Sequence, residues 1–182
     1  MRLFVALDLA EETRSALVGW AHRALARDRA MRLSEELHLT LAFLGTRTRG
    51  EADAIADVLD DAVEAGPWPR GLAVAGRLWL PERRPNVLTV EVADPSGALA
   101  ALQGRVAAAV AGVSAWEVER RHFRPHVTVA RLRRGEVPRT YDLASVPAVA
   151  VEGTGVSLVS SVLAAGGALH EPVVTVRAPA GA

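Results

Sequence analysis

His38-Leu39-Thr40-Leu41-Ala42-Phe43-Leu44 and His126-Val127-Thr128-Val129-Ala130-Arg131-Leu132 are two copies of one pattern in a chain of 182 residues. His, Thr, Ala and Leu stand at the first, third, fifth and seventh places of both runs, and the second and fourth places are aliphatic. Such alternation reads as a β-strand. Strand side chains point to opposite faces in turn, so the shared His, Thr and Ala fall on one face. Leu39, Leu41, Val127 and Val129 fall on the other, buried against helices. A buried strand explains the aliphatic places; it does not explain a repeated His and Thr.

Outward from these runs, the opening Leu3–Leu9 alternates like a strand, and 11–30 has helical spacing through Leu17, Trp20, Ala24 and Leu25. A second helix is expected over 50–65, on the stripe Ile55, Val58, Leu59 and Ala62, stopped by Gly66-Pro67-Trp68-Pro69. Strands follow near 72–80 and 87–92. Asp94-Pro95-Ser96 starts a third helix that Leu99, Leu102, Val106 and Val110 carry to about Val113. The run from His126 is the next strand, and the last strands are expected near 148–151, 155–162 and 170–176, with Gly166-Gly167 as the turn between the final two. The order β-α-β-α-β-β-α-β-β-β-β predicts a compact α+β sandwich with mostly antiparallel sheets. The length fits one domain or two small lobes sharing a core.

Composition narrows the chemistry. There is no cysteine, which excludes disulfides, thiolate metal sites and a cysteine nucleophile. The apolar start is short and interrupted by Asp8, unlike a signal peptide, and no run has the length to span a bilayer. A cytoplasmic protein without membrane contact is the plain expectation. With no heptad or exposed apolar stripe, so is a monomer. Net charge is zero. All 21 cationic residues are Arg, six of them (Arg120, Arg121, Arg124, Arg131, Arg133 and Arg134) between Glu119 and Arg134. That stretch is either a local attraction for phosphate or a solvated face with no function.

If the two runs converge on one cleft, they bring two imidazoles and two hydroxyls together. Imidazoles divide acid and base work near neutral pH. The hydroxyls of Thr40 and Thr128, on stiff β-branched stems, donate to phosphate oxygens. Ala42 and Ala130 would leave room for a substrate. The competing readings are core histidines and a metal site. Neither run carries a second His, Asp or Glu at ligand spacing, so no metal and no cofactor is expected.

The paired His-x-Thr-x runs resemble the two-histidine (2H) phosphoesterase superfamily and, more narrowly, the RNA 2′,3′-cyclic phosphodiesterases, also called LigT-like or 2′-5′ RNA ligase-like proteins. The resemblance extends through Arg2-Leu3-Phe4-Val5-Ala6-Leu7-Asp8-Leu9, Gly45, Phe123-Arg124-Pro125 and Leu158-Val159-Ser160-Ser161. It implies a single bilobal domain over 1–182, with two pseudo-twofold-related α+β lobes around a central cleft and helices outside. It implies metal-independent hydrolysis of an RNA terminal 2′,3′-cyclic phosphate to a 2′-phosphate, with reversible 2′-5′ joining in some members. By position, His38 is the proton donor to the departing 3′ oxygen and His126 the base that activates water. Thr40 and Thr128 hold the phosphate. Arg131 matches a substrate-holding position, although strict alternation puts it on the far face unless the strand twists, ends or bulges. The partners implied are RNA ends; a small cyclic nucleotide as substrate, or an idle protein that only binds RNA ends, are the alternatives.

Relatives resemble a tyrosine-bearing strand where this chain has Ala168-Leu169-His170-Glu171-Pro172. At His170 a cleft residue that replaces a stacking or hydrogen-bonding contact is weighed against a surface residue, and the surface is the expectation, as it is for His22. His122, in the basic stretch, is a candidate contact for RNA phosphates but no member of the acid–base pair. Phe4 is expected to pack in the core, and Trp79 is divided between core packing and base stacking.

Overall fold

The computed structural model describes residues 1–25, 28–136, 145–164 and 167–180. Among them the order is β1 (Arg2–Leu9), α1 (Glu11–Leu25), β2 (Met31–Leu33), β3 (His38–Thr46), α2 (Arg49–Glu64), β4 (Leu72–Leu80), β5 (Val87–Ala93), α3 (Ala98–Val113), β6 (His126–Leu132), β7 (Ala150–Val151), β8 (Gly153–Ala164) and β9 (Gly167–Arg177). The fold is α+β and its strand pairings are antiparallel. Hydrogen bonding runs through one sheet in the order β7-β4-β5-β6-β3-β1-β8-β9, with β2 added to β6. The expected separate sheets are therefore joined, and the join between β3 and β6 is narrow, a single register pair, Leu39 with Val127.

The halves on either side of that join correspond. β1 flanks β3 as β5 flanks β6. Ala6 pairs with Thr40 and Asp8 with His38 in one half; Thr89 pairs with Thr128 and Glu91 with His126 in the other. The strand repeat is thus a pseudo-twofold in space.

Helices cover the aliphatic face. Leu17, Trp20 and Leu25 of α1, Ile55 and Leu59 of α2, and Leu99, Leu102 and Val106 of α3 share one core with Leu39, Leu41, Val127 and Val129. Each fully buried Leu or Ile there contributes roughly 1.5–3 kcal/mol. α1 leaves the first half and packs on β2 and β6, whereas α3 leaves the second and packs on β3, so each helix ties the two halves together. Local chemistry sets their starts. Thr48 and Glu51 form a capping box at α2. Before α3, Asp94 Oδ2 accepts from the Ala100 amide at 2.9 Å and Gly97 takes a left-handed φ of 72°.

β2 differs from the expectation of a helix through residue 30. By residue 28 the chain has turned: Asp28 Oδ1 accepts from the Ala30 amide at 2.9 Å, an Asp-centred turn that competes with the helix. Met31, Arg32 and Leu33 then pair with Leu132, Arg131 and Ala130. The expected Gly166-Gly167 turn falls partly outside the described residues; Gly167 opens β9, in register with Ala164.

Candidate active site

His38 and Thr40 on β3, and His126 and Thr128 on β6, are half-buried, and the residues between and after them are buried. Alternation therefore holds through the fourth place of each run and then breaks. Ala42 and Ala130 are buried at 5 % and 0 % exposure, not open to the cleft as expected. The register explains it. Val5 pairs with Ala42 but Ala6 with Thr40, which leaves Leu41 as an extra residue; Leu88 pairs with Ala130 but Thr89 with Thr128, which leaves Val129. A bulge at the same place in both runs shifts the phase by one residue. The sixth places, Phe43 and Arg131, turn outward as a result.

A cavity of about 650 Å³ opens on this face and takes His38, Thr40, Thr128, Arg131 and Phe43 into its lining, together with Arg32 and His170. His126 is not in that lining. It lies on the adjoining strand, close enough for its charge to oppose protonation of His38. Continuing the antiparallel register by one residue either way from Leu39 and Val127 sets His38 beside Thr128 and Thr40 beside His126. Neither Thr hydroxyl is hydrogen-bonded within the described residues, so both are available to a ligand.

The two imidazoles are held alike. His38 Nδ1 lies 3.1 Å from the Glu36 carbonyl oxygen and His126 Nδ1 lies 2.7 Å from that of Arg124. A carbonyl only accepts, so in both rings Nδ1 carries a hydrogen and donates. Nε2 is left to take or give the mobile proton.

Their surroundings differ. His38 stacks on Phe4 with ring centroids 4.8 Å apart and meets His170 edge-on at 5.3 Å. Burial, followed by the charges of His170, Arg131 and His126, lowers its pKa to about 4, against the raising effect of the Glu36 carbonyl. Beside His126, Glu91 is engaged by Arg124 Nε at 2.7 Å, and Arg124 Nη1 reaches Glu82 at 2.9 Å.

Arg131 pairs in register with Arg32. Like charges placed opposite each other repel, and burial together with Arg32 lowers the pKa of Arg131. An anion between the two guanidiniums would relieve that repulsion. In the rest of the basic stretch, Arg124 is spent on carboxylates and Arg133 Nε donates to the Arg29 carbonyl at 3.0 Å. Arg120, Arg121 and Arg134 are exposed. Of the six, Arg131 alone lines this cavity.

His170 corrects an expectation. It is not a surface residue: its side chain is 25 % exposed, its Nδ1 sits 3.3 Å from Glu36 Oε2, and its ring meets both His38 and Phe4. The chain register of β9 against β8 brings it to the cleft face, opposite Ser161. Phe4 is buried, as expected, but at the cleft floor with Ala6 and Val159 rather than in the main core. Trp79 packs against the main core. His22 and His122 are exposed. Sequence reasoning misses Arg32, because it does not anticipate β2, and Phe43, because it assumes unbroken alternation.

Among the described residues no group of three or more His, Asp or Glu is placed to hold a metal ion, and no helix is long and apolar enough to cross a membrane.

Known proteins share this fold. The family model described as the 2′-5′ RNA ligase superfamily matches residues 10–161. An RNA 2′,3′-cyclic phosphodiesterase of Geobacillus stearothermophilus is 31% identical over 148 residues, which cover 80% of this chain and 46% of that protein. The chain thus spans about half the length of that relative. The crystal structure of TT0787 of Thermus thermophilus superposes with a TM-score of 0.74 at 26% identity, covering 98% of both chains. E. coli LigT complexed with 3′-AMP superposes with a TM-score of 0.76 at 24% identity, again covering 98% of both.

Proposed function

This chain belongs to the 2′-5′ RNA ligase superfamily, and from that membership we propose that it hydrolyses RNA terminal 2′,3′-cyclic phosphates to 2′-phosphates without a metal. The observation that carries the reading is the pair of imidazoles on equivalent strands, each with Nδ1 committed to a backbone carbonyl. Two such rings with free Nε2 atoms flanking two unengaged Thr hydroxyls suit in-line displacement at a phosphodiester.

In the proposed step water attacks phosphorus opposite the 3′ oxygen. His126 takes the water proton, the bond from phosphorus to the 3′ oxygen breaks, and His38 donates its proton to that oxygen. Thr40, Thr128 and Arg131 bind the non-bridging oxygens. His38 is neutral at pH 7 in the empty protein, the wrong state for a donor. A bound phosphate supplies the negative charge that opposes burial and the neighbouring cations. His38 therefore takes up its proton with the substrate. Phe43, 55% exposed on the cavity wall, offers a stacking face beyond the phosphate, which favours an oligonucleotide over a mononucleotide. The same reading extends to a single bilobal domain over 1–182 that works as a cytoplasmic monomer. Reversible 2′-5′ joining would use the same two proton transfers in reverse.

The test is turnover of an oligoribonucleotide ending in a 2′,3′-cyclic phosphate, in excess EDTA, beside the matched cyclic mononucleotide, with product isomers resolved. A 2′-phosphate product, with rates about 10²- to 10⁴-fold lower in His38→Ala and in His126→Ala, is expected. Faster turnover of the mononucleotide would move the reading to a small cyclic substrate. Binding without turnover of either would make the protein an RNA-end binder.

A further inference from the structure

A second cavity, of about 500 Å³, adjoins the first and shares Phe4, Glu35, Glu36, His38 and His170 with it. We propose that this cavity is the base subsite of the same centre, and that Asp8 at its floor selects guanine.

Three features carry the inference. The first is position. Asp8 is the register partner of His38, so its side chain stands about 5 Å from the histidine's strand on the same face. A nucleotide whose phosphate lies against His38 has its base within reach of this cavity. The second is the lining. Ala6, Val159 and Pro172 give the cavity an apolar side for a ring to lie against, with Glu11, Arg14, Glu35 and Glu36 also in its lining. Its volume lies in the ordinary range for small-molecule sites. Gly155 pairs with Asp8 on β8; a Cβ there would stand 3.5 Å from Asp8 Oδ2 and 2.6 Å from the Val176 carbonyl oxygen. Glycine is required there by the close approach of the β9 backbone at Val176, which holds β8 and β9 together beside Asp8.

The third is the hydrogen-bonding pattern. Ser157, buried at 3 % exposure, donates to Asp8 Oδ2 at 2.7 Å, and its oxygen lies 2.7 Å from Thr175 Oγ1. This chain fixes the carboxylate and leaves Oδ1 without a hydrogen bond among the described residues. Burial raises the pKa of Asp8 despite the bond from Ser157 and the charge of Arg14, so a further donor would stabilise the carboxylate. His38 does not supply it through Nδ1, which is committed to Glu36. The equivalent acid of the other half, Glu91, is held by Arg124; Asp8 has no such salt bridge among the described residues. A carboxylate beside an anion site repels its ligand unless the ligand brings N–H groups to it. Guanine brings two parallel donors, N1–H and the 2-amino group, which a carboxylate accepts together. Adenine and cytosine bring one amino group. Uracil brings one N–H flanked by two carbonyls that a carboxylate repels.

The inference rests on the phosphodiesterase reading for the phosphate end of the ligand, so its test is binding, which needs no turnover. Guanosine and uridine 2′-monophosphates would be titrated calorimetrically into the full chain and into Asp8→Asn, and kcat/KM measured on the four nucleoside 2′,3′-cyclic phosphates. The unmodified chain is expected to bind the guanosine compound about tenfold or more tightly than the uridine compound, and Asp8→Asn to lose most of that difference. Guanine preference that depends on Asp8 supports the subsite even if no cyclic phosphate turns over, in which case the hydrolytic reading alone fails. Equal binding of the two by the unmodified chain, or a preference that survives in Asp8→Asn, overturns the subsite even where turnover is rapid.

Discussion

Leu39 and Val127 hold the same place in the two His-aliphatic-Thr-aliphatic runs, and they are also each other's partner across the join between β3 and β6. Equivalent residues of an antiparallel pair face each other only where the local twofold passes between them. The axis therefore runs through the middle of the proposed site. Both His-Thr pairs meet there because the core beneath them is built from the aliphatic members of the same runs.

The paired bulges make a packing prediction. Ala130 is fully buried at the place where the phase of β6 shifts. Ala130→Leu should destabilise the fold by about 1–3 kcal/mol through overpacking. A residue on the cleft face would tolerate the same change with little loss. Chemical denaturation of the two proteins decides between them.

Arg131 should act on binding more than on the chemical step. Arg131→Gln is expected to raise KM for an RNA end, and to lower the slope of log affinity against log salt by about one unit, as expected for one lost phosphate contact. Salt titrations of binding to both proteins check this. An unchanged slope would place Arg131 away from the phosphate.

Stability should carry the signature of His38. Its pKa in the folded chain is about 4, against 6.5 ordinarily. Between those values the unfolded chain holds the proton and the folded chain does not. Stability therefore rises with pH across that window; it is fully present above 6.5 and is lost as pH falls toward 4. The Tm of the unmodified chain should drop by a few degrees more than that of His38→Asn between pH 7 and pH 4.5. Parallel Tm curves would mean that His38 titrates freely.

The same low value makes a kinetic prediction. An ionisation near 4 is expected in kcat/KM, which reports the free protein. In kcat it should lie at higher pH, because bound phosphate raises the His38 pKa. Calorimetric binding of a 2′-nucleotide near pH 6 in buffers of different ionisation enthalpy should show proton uptake. No uptake would remove His38 as the group protonated with substrate.

Arg124 offers a test of the other histidine. Arg124→Ala would release Glu91, the register partner of His126, from its ion pair while leaving the backbone carbonyl that holds Nδ1. A freed carboxylate favours the imidazolium, so the ionisation that His126 contributes to the rate profile should move to higher pH. A profile that stays in place would show that Glu91 does not reach His126.

The sequence by itself determined the strand runs, their repeated His and Thr, and the helical stripes. These depend on the period of a strand or helix and on groups a few residues apart, which a single chain displays in order. The tertiary structure decided which neighbours join the pair. Phe43 and Arg131 reach the cleft because bulges against β1 and β5 shift the alternation, and a bulge exists only relative to a partner strand. Arg32 arrives on a short strand, β2, that ends its pairing on β6, a contact of high sequence separation. His170 meets His38 across 132 positions of chain, through β9, β8 and β1. The low pKa of His38 comes from burial and from the charges of His170, Arg131 and His126, none of them close to it in sequence. Local periodicity names the reacting groups. Only packing between distant strands sets their environment, because desolvation and charge act through space.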